Sequence, residues 1–109
     1  MKIVNLTPHA LSIYGEGEQV LNVPPSGNVA RLAVTRQHLN PVIVDGVKLP
    51  VSRPTLGAIE GLPEPAANTI FVVSALVAEA AKRPDVMSPG ELIRDASGRP
   101  IGARGLCAY

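Results

Sequence analysis

Proline and glycine interrupt this chain so often that they leave room only for short strands and one short helix. Eleven prolines and ten glycines stand among 109 residues, well above a usual joint share of about 12%. They separate short apolar segments at Pro24-Pro25-Ser26-Gly27, Asp45-Gly46, Gly61-Leu62-Pro63-Glu64-Pro65, Ser88-Pro89-Gly90 and Ser97-Gly98. Each break removes a backbone donor or supplies a positive backbone angle, so the predicted class is α+β. The expected architecture is a mainly antiparallel, partly closed β-sheet or small barrel with one short helix.

Length and charge narrow the function classes. No interruption is long enough to separate a second core from the first, so residues 1–109 read as a single domain. A hydrophobic fraction of 46% with 17% charged residues suits a buried core, and the net charge is +1. Residues 1–65 carry five Lys/Arg and five Asp/Glu, and residues 66–109 carry five and four. With basic residues dispersed and Tyr14, Phe71 and Tyr109 as the only aromatics, no nucleic-acid partner is expected. The most apolar run, Thr69 to Ala81, is 13 residues long, short of the roughly 20 needed to cross a bilayer, so no membrane partner is expected either. The lone Cys107 excludes an intramolecular disulfide, and Met1-Lys2-Ile3-Val4-Asn5 has no apolar signal core. A reducing, cytoplasmic location follows as an expectation.

Along the chain, Lys2–Leu6 and Ala10–Tyr14 are β-compatible and flank the irregular Thr7-Pro8-His9. Gln19–Val23 and Val29–Arg36 follow as strands, joined through the Pro25-Ser26-Gly27 turn. Val42-Ile43-Val44, Asp45-Gly46 and Val47–Val51 form the strongest local signal, because Asp-Gly supplies the angles of a two-residue hairpin turn. Thr69-Ile70-Phe71-Val72-Val73 lacks polar alternation and is predicted to lie centrally, covered on both faces. Ser74 then caps a helix over 75–83, with Glu79 placed to meet Arg83 at i+4. Glu91–Arg94 and Arg99–Ala103 flank Asp95-Ala96-Ser97-Gly98 as a second hairpin.

Several motifs occur together: Asn5-Leu6-Thr7-Pro8-His9-Ala10, Pro25-Ser26-Gly27 leading to Val29-Ala30-Arg31, Glu60-Gly61-Leu62-Pro63, Val73-Ser74-Ala75-Leu76-Val77-Ala78 and Arg94-Asp95-Ala96-Ser97-Gly98-Arg99. The combination, spread over almost the whole chain, resembles a family of small uncharacterised proteins encoded in bacterial and phage or prophage genomes. The resemblance implies a compact accessory or host-interaction protein, including one that binds a small signalling molecule. It brings no catalytic or ligand-binding residues with it.

Three functions are weighed from the residues. The first is noncatalytic binding of a small anionic or nucleotide-like ligand by His9, Arg31, Ser74, Arg94 and Arg104, with backbone donors at the strand–helix junction. No nucleotide-binding glycine fingerprint precedes that helix, and Ser74 is first of all an ordinary cap. Ser26-Gly27-Asn28 is either an anion nest or a plain turn. The alternative is a protein-interaction or assembly module, acting as a homo-oligomer or on a host protein through unpaired sheet edges or an apolar face. The third is a small hydrolase using His9 or Cys107, or the Glu60 and Glu64 carboxylates. No metal site or cofactor is expected, since His9, His38 and Cys107 are far apart in sequence and form no paired-ligand motif.

Overall fold

The computed structural model describes residues 1–109, with every side chain except that of Glu18. Eight strands and one helix follow in the order β1 (Lys2–Asn5), β2 (Leu11–Tyr14), β3 (Val20–Val23), β4 (Arg31–Val44), β5 (Val47–Glu60), β6 (Thr69–Val72), α1 (Ala75–Ala81), β7 (Val86–Arg94) and β8 (Pro100–Cys107). Six strands form one mixed sheet in the order β1-β6-β7-β8-β2-β3, while β4 and β5 pair only with each other. The fold is thus mostly β with one short helix, a nearly closed barrel-like sheet plus a long hairpin. The longest ladders, β4–β5 and β7–β8, are antiparallel; the parallel pairings β1–β6, β6–β7 and β2–β8 are short.

β6 lies between β1 and β7, and Phe71, Val72 and Val73 are buried, as its unbroken apolar pattern predicts. Around it Leu6, Ala30, Val77, Ala78 and Val86 complete the core, with Leu32 and Ile59 from the base of the hairpin packed against it. The Ser74 hydroxyl accepts a hydrogen bond from the Val77 amide, as a cap should. The helix nevertheless ends at Ala81 rather than Arg83, because Lys82 turns left-handed and its amide closes on the Ala78 carbonyl. Arg83 therefore leaves the helix face shared with Glu79 and grips Asp85 through two hydrogen bonds of 3.0 and 2.6 Å. It also donates to the Pro63 carbonyl at 3.0 Å, fastening the loop before β6 to the segment after α1.

Two breaks read from the sequence are absorbed by strands. Ser88-Pro89-Gly90 lies inside β7, where a Cβ at Gly90 would stand 2.1 Å from the Arg104 carbonyl oxygen of β8. Here glycine serves a close strand approach rather than a turn. Gln37-His38-Leu39-Asn40-Pro41, the gap between the predicted strands 29–36 and 42–44, lies within β4, where a register shift between Leu39 and Val42 accommodates the extra residue. The predicted strands 29–36 and 42–44 are consequently one. The Asp45-Gly46 turn is as expected, with φ of 49° and 75° at its two residues.

That hairpin is an arm. The molecule extends 57 × 40 × 23 Å with a radius of gyration of 17.9 Å, against about 13 Å for a compact chain of this length. Strands of 14 residues reach roughly 45 Å when extended, and it is their base, at Leu32 and Ile59, that packs on the core of the body.

Candidate functional site

The body is closed at its seam by one side chain. Asn5, 1% exposed at the end of β1, donates from Nδ2 to the Val23 carbonyl of β3 at 3.2 Å, and β1 and β3 are the two edges of the sheet. Its Nδ2 also donates to the His9 carbonyl at 2.7 Å, while Oδ1 accepts from the Thr7 amide at 2.9 Å and the Thr7 hydroxyl at 2.6 Å. Both donors and both acceptor directions of the carboxamide are used. Asn5 thereby shapes the Thr7-Pro8-His9 loop, a role that sequence reasoning missed. Asn followed two residues later by Thr, next to Pro8, is the pattern of a side-chain-stabilised turn and was the available signal.

At the base of the arm, Arg31 and Ser74 share an open cleft of about 460 Å³, lined also by Leu6, Thr7, Pro8 and Leu76. These are two of the five residues expected to bind an anion. The other three lie elsewhere. His9 borders a different depression with Leu92 and Ile101. Arg94 donates to the Gly98 carbonyl at 2.8 Å and braces the β7–β8 turn, where Asp95 accepts from the Ser97 and Arg99 amides. Arg104 lies exposed on β8, in register with Glu91 and Tyr14. In the Ser26–Asn28 turn the Ser26 hydroxyl and the Asn28 backbone bond to each other, and Gly27 takes a φ of 96°. His9 and the exposed Cys107, at the far end of β8, have no hydrogen bond to each other; Glu60 ends β5 and Glu64 lies in the next loop.

The arm presents the larger exposed feature. Cross-strand partners share a face, and successive pairs alternate sides. The pairs Val44–Val47, Val42–Leu49 and Leu39–Val51 therefore gather six aliphatic side chains on one face of the outer half. The opposite face carries Ile43–Lys48, His38–Ser52 and Arg36–Pro54. Val42, Val44, Val47 and Leu49 are between 43% and 56% exposed. The ribbon is amphipathic, and its apolar side is exposed at Val42, Val44, Val47 and Leu49 and half-buried at Leu39 and Val51. Toward the body the same face turns polar at Gln37–Arg53 and Thr35–Thr55.

Charge is organised more tightly on the body. The hydrogen bonds from Arg83 hold the Asp85 carboxyl below the usual carboxylate range, against the opposing effect of desolvation. The same pair raises Arg83. The guanidinium also stands 6.0 Å from the Phe71 ring centroid, so this clasp is a structural element of the core wall. Among the described residues no helix is long and apolar enough to cross a membrane. No family model, curated protein or solved structure matches the chain.

Proposed function

We propose that the protein is a noncatalytic interaction module whose working element is the β4–β5 arm. The observation that supports this reading is the six-residue aliphatic face on a two-stranded ribbon standing clear of the body. An isolated two-stranded hairpin is marginal in water, and an exposed apolar face opposite a polar one is the usual mark of a surface that another protein covers. The test compares the wild-type chain with Leu49→Lys by light scattering and by affinity purification from the cells that make it. An association, with itself or another protein, that the substitution removes is the expected result. A dilution-insensitive monomer that retains nothing lost in the variant overturns the reading.

A second reading, binding of a small anionic or nucleotide-like ligand, is favoured by one observation: Arg31 and Ser74 meet in the cleft under Thr7-Pro8. The seven-residue helix is too short to contribute much of a dipole, so Arg31 would carry the charge recognition. Thermal-shift titration with inorganic phosphate and mononucleotides tests it. A rise in melting temperature abolished by Arg31→Gln supports it, and no rise at millimolar concentration removes it.

A further inference from the structure

We infer that the partner of the arm is a second copy of this chain, packed apolar face to apolar face about a two-fold axis near Leu49. The inference rests on the reading of the arm as an interaction element and names its occupant.

Three features of the arm lead to this partner. The first is the character of the face. Val42, Val44, Val47, Leu49, Leu39 and Val51 include no charge, so the face can meet its own image without like-charge repulsion. The second is the character of the edges. Pro41 interrupts β4, and Pro50 and Pro54 interrupt β5. A proline offers no donor to a strand laid alongside, so side-by-side extension of the ribbon is disfavoured at both edges and packing by the face remains.

The third is charge complementarity. Asp45 stands in the turn at the tip, just beyond the Val44–Val47 pair, and Arg53 is the first charged residue beyond the other end of the patch, on the same face. With two such faces stacked antiparallel across an axis near Leu49, the tip of each copy, which carries Asp45, comes over the end of the other's patch that carries Arg53. Among the described residues neither side chain has an ion-pair or hydrogen-bond partner in its own chain, where the salt bridge is Arg83–Asp85. Both ends of the stacked patch thus receive an opposite charge, a match that a parallel stacking would lose. Two such faces would form a small two-layer sandwich with sheets about 10 Å apart. A patch of this size buries on the order of 400 Å² per copy, about half that of a standard interface, so the dimer should dissociate on dilution rather than be permanent.

The test uses the purified full chain. Sedimentation velocity across the micromolar range should show a monomer–dimer equilibrium that Leu49→Lys weakens by more than about tenfold, since two ammonium groups would be buried at the axis. Melting temperature at a concentration where both are monomeric checks that the variant is folded. Arg53→Glu should weaken the dimer by facing the partner's Asp45, a copy of the residue at its own tip, and adding Asp45→Asn should recover some of the loss. In a Cys107→Ser background, Leu49→Cys should be joined across the dimer by a short thiol-reactive cross-linker, and Ser52→Cys on the opposite face should not. A dimer unaffected by Leu49→Lys, or cross-linked equally from both faces, overturns the inference. So does a monomer at every concentration. If that monomer retains a different protein that Leu49→Lys releases, the arm reading survives; if it retains none, both fall.

Discussion

In the body, Val72 and Val73 are wholly buried and hydrogen-bonded strands come from opposite ends of the chain, as where Ile13 pairs with Ala103. In the arm, Ile43 is 70% exposed and its partner Lys48 is only five positions along the chain. Both regions are β-structure, but they are stabilised differently. The body gains from burying apolar surface once distant segments meet, whereas the arm rests on a favourable turn and local pairing. A region of the second kind keeps its apolar side chains in water until something else covers them. The contrast places the buried core of the molecule in the barrel, and the proposed association draws on the hairpin.

Substitutions should divide along that line. Phe71→Ala should cost the most, about 3–5 kcal/mol of unfolding free energy by chemical denaturation, because it empties the core beside the Arg83 clasp. An unchanged midpoint would mean that the body is not organised around β6. Asn5→Ala should cost about 2–3 kcal/mol, since it leaves the buried Val23 carbonyl without the Asn5 donor, takes one of two side-chain donors from the His9 carbonyl and opens the seam between β1 and β3. Amide exchange should then rise in β3 and the Thr7–His9 loop before it rises in β6.

Asp85→Asn should cost about 1 kcal/mol near neutral pH, in line with a partly exposed, bidentate pair. Its pH dependence has a definite sign. The folded-state value of Asp85 is depressed, so its contribution is present above the ordinary carboxylate value, about 3.9, and is lost as pH falls through the lower folded value. The gap between wild type and Asp85→Asn in thermal melts should therefore narrow in strong acid. The smallest effect belongs to the arm: at a dilution where the chain is monomeric, Leu49→Thr should move the body's midpoint by less than about 0.5 kcal/mol. A larger change would mean that arm and body unfold as one unit through contacts beyond the base.

The anion site proposed from sequence shows how far residue type alone can mislead about convergence. Ser74 was legible as a cap, and the nearness of Arg31 to it follows from the base of the arm lying on α1. Arg94 ends β7 beside the turn residue Asp95, and its guanidinium serves the Gly98 carbonyl, a geometry visible only once the hairpin is closed. Pro41, Pro50 and Pro54 each remove a donor, yet a bulge and free edges let the strands of the arm run through them. For the same reason Ser88-Pro89-Gly90 looked like a turn, although the deciding fact was the distance from Gly90 to β8.

The sequence by itself determined what short-range chemistry controls: the Asp45-Gly46 turn, the Ser74 cap and the burial of Phe71 to Val73. These depend on backbone angles, on one side chain reaching three residues ahead, and on an apolar run too continuous to face water. Tertiary structure alone decided that Asn5 would bridge the two sheet edges, that Arg83 would exchange Glu79 for Asp85, and that an aliphatic face with four of its six residues exposed would stand on the arm. Each of those outcomes depends on which distant or turned segment arrives alongside, and no local propensity carries that information.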